Sequence, residues 1–169
     1  MQPNEIYREE IPFPIGRLMV WIMTGITALM LYLFIYQTTT GRPVGNEPAP
    51  DWVYLVMVVV FAGMTVLIKN FTRLTIGMTP DALTVAFERI KYTIPWHNIA
   101  GCYQDNNPGI VYGGWGIRSG RARGKSVLVY NIIGPKRVIL ELKKGRFKQF
   151  AFSTRRPEEV MVIVQQQIR

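Results

Sequence analysis

Two apolar patterns with different periods divide the chain. Residues 18–36 and 52–68 form runs of 19 and 17 residues that contain no charge. As helices rising about 1.5 Å per residue, each nearly crosses a hydrocarbon core of roughly 30 Å. After Lys69 the apolar period falls to two: Leu74, Ile76 and Met78 alternate with Thr75, Gly77 and Thr79, the pattern of a half-buried strand. Further strands are expected over 83–87, 90–94, 126–133, 137–142 and 147–152. Turns are expected at Pro80-Asp81, Glu88-Arg89, Asn106-Asn107-Pro108-Gly109, Gly134-Pro135-Lys136 and Lys143-Lys144-Gly145-Arg146. Over 157–168 the spacing becomes helical. Val160, Ile163, Val164 and Ile168 share one face, and Pro157, Glu158 and Glu159 suit a first turn.

This divides the chain into an N-terminal arm (1–16), a two-helix hairpin (17–69) and a strand-rich domain closed by a helix (70–169), an α+β chain. The arm is expected to lie on the surface, because Pro12 and Pro14 discourage helix ahead of Arg17. Within the hairpin, Gly25 and Ala28 are expected to face Ala62 and Gly63, since small residues let helices approach closely in lipid. Asp51 is the expected N-cap of the second helix. The strands are expected to curl into an antiparallel sheet or partly open barrel plugged by the C-terminal helix.

Charge gives the hairpin a direction. Residues 1–68 hold three Lys/Arg against five Asp/Glu, whereas 69–169 hold 17 against six. The connector carries one cation, Arg42, while Arg17 precedes the first run and Lys69 and Arg73 follow the second. The positive-inside rule then puts both termini in the cytoplasm of a plasma or inner membrane. Tyr32, Tyr36, Trp52 and Tyr54 cluster at the connector side, as an interfacial aromatic belt would. A cleaved signal peptide fits less well: the first run is long, and Ile35-Tyr36-Gln37 offers no small-residue cleavage site. The lone cysteine, Cys102, excludes an internal disulfide.

The strand-rich segment resembles the bacterial pleckstrin-homology-like domains, which often follow one or two transmembrane helices. The resemblance covers residues 70–169. It rests on Thr93-Ile94-Pro95-Trp96-His97-Asn98-Ile99, Tyr112-Gly113-Gly114-Trp115-Gly116-Ile117-Arg118, the stretches 124–129 and 138–142, and the helix start Pro157-Glu158-Glu159-Val160. It implies a small sheet-and-helix domain used for binding or assembly, with no catalytic residues to carry over. Arg156 departs from the Asp or Ser common before that proline, leaving Thr154 as the alternative cap.

The residues offer little for catalysis. His97 is the only histidine, and one His with one Cys cannot complete a four-ligand zinc site. Asp81 and Asp105 sit in turn contexts, and the Gly113-Gly114-Trp115-Gly116 run lacks the spacing of a phosphate loop. No metal or cofactor is implied. The sharpest polar feature is the stretch 118–125, read as a flexible loop whose Arg118, Arg121, Arg123 and Lys125 would contact anionic lipid headgroups. A second basic group comprises Lys136, Arg137, Lys143, Lys144, Arg146 and Lys148. Tyr112 and Trp115 are candidates for binding a protein partner, against the alternative that Trp115 packs in the core. Nucleic acid is a weaker partner class, because no helix-turn-helix or aromatic RNA-binding motif accompanies the charge.

The functional expectation is therefore a non-catalytic, membrane-integral binding or scaffold protein. The alternatives are an accessory subunit or assembly factor of a larger membrane complex, or, with less support, an enzyme on a membrane substrate.

Overall fold

The computed structural model describes residues 5–45, 49–105, 107, 109–122 and 124–168. They form two compact units. One comprises the first 13 residues with Arg73–Arg169, and the other is Pro14–Thr72.

The helical unit holds α1 (Pro14–Thr40, 27 residues) and α2 (Asp51–Lys69, 19 residues), both long and apolar enough to span a membrane. Pro14 opens α1, where a missing amide costs nothing. Among the side chains half-withdrawn from solvent, Met19, Met23, Ile26, Met30, Leu33 and Gln37 form one row on α1, flanked by Val20, Thr27 and Phe34, and Tyr54, Val58, Phe61, Thr65 and Ile68 form one on α2, flanked by Val53 and Ala62. Their alternating four- and three-residue spacing is the seam of two helices packed side by side. Gln37 closes the connector, donating to the Ala49 carbonyl (2.9 Å) and Asp51 Oδ1 (2.6 Å), so the helices run antiparallel. Two expectations change here. Gly25, Ala28 and Gly63 are exposed, and a Cβ at either glycine would meet nothing within 4 Å; of the four small residues only Ala62 is half-buried, and the rows at the contact are mostly larger side chains. Asp51 is the first helical residue rather than the cap, which is Pro50.

Among the described residues, the second unit has nine strands in two sheets and a C-terminal helix. The first sheet has the order β1 (Tyr7–Pro12), β2 (Arg73–Met78), β3 (Ala82–Phe87), β4 (Ile90–Pro95), all antiparallel. The second is built from β5 (Ile99–Asp105), β6 (Gly116–Ala122), β7 (Lys125–Asn131), β8 (Lys136–Leu142) and β9 (Gln149–Thr154), in the order β5-β8-β9-β7-β6. One pair, β7 with β9, is parallel, so the sheet is mixed rather than wholly antiparallel. Helix α3 (Pro157–Gln167) packs on β5 and β8 through the buried Val160 and Val164.

The sheets pack through aromatic side chains. Phe87 of β3 stacks on Tyr130 of β7 at 5.7 Å and Tyr92 of β4 on Phe150 of β9 at 5.1 Å, while Phe152 stacks on Phe150 within β9 at 5.8 Å. Offset ring pairs of this kind add to the stabilisation from burial itself. Strand β9 is buried on both faces, because the outer face of the second sheet is covered too. There Tyr112, brought over by the 3₁₀ turn Gly109–Tyr112, closes a small core of Val127, Val129, Ile139 and Ala151.

The N-terminal segment is the largest departure from expectation. Instead of an arm it is β1, register-paired from Tyr7–Met78 to Pro12–Arg73. Tyr7, Glu9, Ile11 and Phe13 point inward. An inward glutamate hides the apolar alternation in the sequence. Its cost of burial is offset by three donors: the Tyr7 hydroxyl (2.9 Å), the Thr154 hydroxyl (2.5 Å) and the Arg155 amide (2.8 Å).

Candidate functional site

The two ends of the second sheet carry its polar chemistry. Register puts Asp105 opposite Arg137, and Arg137 opposite Ser153, on the outer face of β5, β8 and β9. Arg137 Nε donates to Asp105 Oδ2 at 2.8 Å, with the two side chains only 7 % and 1 % exposed. A second guanidinium nitrogen donates to the Asn107 carbonyl, and a third lies 3.4 Å from Asn131 Oδ1. The guanidinium also stands 5.2 Å from the Tyr112 ring centre. Asn131 Nδ2 holds the Gly114 carbonyl at 2.7 Å, and Ser153 Oγ approaches Asn131 Oδ1 at 3.0 Å while accepting the Ile132 amide at 2.9 Å. Each polar group of this cluster is satisfied by another, so it fastens the segment around Tyr112 across the sheet.

The electrostatics fit that role. Burial pushes the Asp105 carboxyl up, but the Asn107 amide, the Arg137 guanidinium and the Tyr112 hydroxyl outweigh it, and the pKa lies below the ordinary value. Tyr112 is pushed up by burial first and by the Asp105 charge second. A cleft of about 600 Å³ opens beside the cluster, lined among others by Gln104, Ile133, Gly134 and Lys136.

The opposite end of the sheet is basic. The stretch expected as a flexible loop is a hairpin, with β6 paired to β7 from Gly116–Asn131 to Ala122–Lys125. Gly124, at φ +79°, makes its turn where a side chain would be strained. Arg118 and Arg121 are exposed on β6, an edge strand, on opposite faces because they are three residues apart. Lys125 is paired with Glu141 at 2.9 Å, and Arg123 lies outside the described residues.

The turn between β8 and β9 lies beside this hairpin turn. Ser126 Oγ donates to the Arg146 carbonyl at 3.0 Å, and the Lys148 amide donates to the Ser126 carbonyl at 2.9 Å. Asn98 grips the same turn from the other side, accepting the Lys144 amide at 2.8 Å and donating to the Lys144 carbonyl at 3.2 Å. The two basic groups of the sequence are thereby merged: Arg121, Lys125, Lys143, Lys144, Arg146 and Lys148 share one edge. Lys136 and Arg137 belong to the other end.

Tyr112 and Trp115 both turn inward. Tyr112 is buried over Arg137, and Trp115 is half-buried with its ring 5.6 Å from that of Phe13. His97, Cys102 and Asp105 do not converge. His97 is exposed in a 3₁₀ turn, Cys102 approaches the Met161 carbonyl of α3 at 3.7 Å, and Asp105 points to the other face of β5. Burial pushes the Cys102 thiol up, away from the reactive thiolate. Among the described residues no three His, Cys, Asp or Glu side chains gather as a metal site would require.

Two polar features carry no local signal in the sequence. Glu9 gave no signal because its partners Thr154 and Arg155 lie far along the chain. The Asp105–Arg137 pair requires the register of β5 on β8, which spacing does not carry. Comparison with family models, curated proteins and solved structures finds no match to this chain.

Proposed function

We propose that this protein is a membrane-anchored, non-catalytic binding module whose pleckstrin-homology-like domain works on the cytoplasmic side and holds a protein partner there. One observation carries the reading: the outward surfaces of α1 and α2 are apolar. Trp21 is 75 % and Trp52 66 % exposed, and Leu18, Leu29, Val59, Val66 and Leu67 are each more than half exposed. An apolar surface of that extent in water calls for a cover, and a bilayer fits the length and mean hydropathy of 2.2 of both helices.

Several features support the remainder of the reading. The fold divides into two sheets and a closing helix, and the residues that could have formed a catalytic set are dispersed. The two-sheet unit also carries most of the positive charge. Short chain links join the units, Phe13 directly before α1 and residues 70–72 after α2, so the domain is tethered to the anchor at both ends of the hairpin.

Extraction tests this. Alkaline carbonate should leave the chain in the membrane pellet, and a mild detergent should release it with a stoichiometric protein partner. Carbonate release, or a chain that migrates alone in mild detergent, contradicts the proposal.

A further inference from the structure

Order in the second sheet places the β6–β7 and β8–β9 turns side by side, because β8, β9, β7 and β6 are consecutive neighbours. At about 4.8 Å between strands the two turns span roughly 15 Å. This short edge carries Arg121, Lys125, Lys143, Lys144, Arg146 and Lys148, all exposed. Among the described residues, only Lys125 has an ion-pair partner there. Charges of one sign repel, so a compact fold gains nothing by collecting them.

The backbone beneath them is held firmly. Ser126 and Asn98 bind the β8–β9 turn from both sides, as described above, so the cations sit on a fixed edge. Trp115, packed on Phe13, begins the other end of β6, and seven residues of strand place the edge roughly 20 Å from that point.

We infer that this paired-turn edge, Arg121 with Lys125, Lys143, Lys144, Arg146 and Lys148, is a docking surface for anionic phospholipid headgroups. It rests on the membrane-anchored reading above. The turns form a flat row of point charges. Among the described residues the cations sit on strand ends and turns rather than on a helix that could enter a nucleic-acid groove, and Phe147, half-buried beside Arg146, supplies the one aromatic ring of the β8–β9 turn. Phosphate-bearing headgroups move laterally to meet such a row, and the anchor raises their effective concentration.

The test uses the full chain in nanodiscs of phosphatidylcholine, mixed with vesicles that contain phosphatidylglycerol. The protein should float with these vesicles and be released by high salt. The variant Arg121→Ala/Lys143→Ala/Lys144→Ala/Arg146→Ala should bind about fivefold more weakly per cation removed. An all-lysine version, Arg121→Lys/Arg146→Lys, should bind as the parent does. Hydrogen exchange should slow at 121–126 and 143–148 with anionic vesicles and be unchanged in β8, which also shows that the variants are folded. Absence of vesicle binding, or binding that survives the quadruple variant, overturns the inference. So does tighter binding to RNA or duplex DNA than to vesicles. None of these results alters carbonate resistance, so failure here is distinct from failure of the anchor.

Discussion

The two ends of the five-stranded sheet use the same side chain in opposite ways. At one end Arg137 is withdrawn from water and meets a carboxylate, two amide oxygens and an aromatic face. At the other, arginines and lysines stand in solvent, and among the described residues one of them, Lys125, is paired with a carboxylate, Glu141. A buried charge costs several kcal/mol to desolvate and persists only when its partners are complete. An exposed charge contributes little to stability and keeps its interaction for something outside the molecule. The difference separates charge that holds the fold from charge that is available for binding.

That contrast breaks most visibly at Arg137. Arg137→Ala leaves Asp105 buried without its counterion and should cost about 3–5 kcal/mol in chemical unfolding followed by tryptophan fluorescence in micelles. Adding Asp105→Leu to Arg137→Met should recover part of that loss. A single variant within about 0.5 kcal/mol of the parent would show that the pair contributes nothing to the fold.

Glu9 comes next. Glu9→Gln keeps the shape and one carbonyl acceptor but loses the charge that three donors share, and should cost about 1–3 kcal/mol by the same measurement. No loss would mean that β1 is held by its ladder and apolar side chains without the carboxylate.

Acid gives a smaller, signed effect. The folded pKa of Asp105 lies below its unfolded one, so its contribution is complete above the ordinary carboxylate value and disappears as pH falls through the folded value. Unfolding free energy measured downward from pH 5 should fall less steeply in Asp105→Asn than in the parent. Parallel curves would show that Asp105 titrates alike in both states.

The smallest effect on stability belongs to the basic edge. Replacing Arg121, Lys143, Lys144 and Arg146 by alanine should leave the unfolding midpoint where it is and remove the anionic-vesicle binding. A large drop in the midpoint would move these cations into the structural group with Arg137.

How much of this the sequence reveals depends on the range of the interactions. The helices and the strands β2, β3, β4, β7 and β8 are written in local periodicity, and the turns between them in Gly, Pro and Asn. Strand β6 is not, because Gly-Ile-Arg-Ser-Gly-Arg-Ala reads as loop and becomes strand only through its ladder with β7. Strand β5 has two buried positions, one at each end, so it shows no alternation. Strand β1 is masked by its inward glutamate. The cations of the basic edge were all visible as two separate groups; their convergence depends on β9 entering between β7 and β8, a long-range choice.

The central claim is that α1 and α2 cross a bilayer and hold the two-sheet domain on the cytoplasmic side. Cys102 is the only cysteine, so Cys102→Ala gives a background on which single cysteines report sidedness. Arg42→Cys in the connector should react with an impermeant maleimide added to intact cells. Arg89→Cys, in the exposed turn between β3 and β4, should react only after the membrane is opened. Labelling of both in intact cells, or of Arg89→Cys alone, would contradict the account.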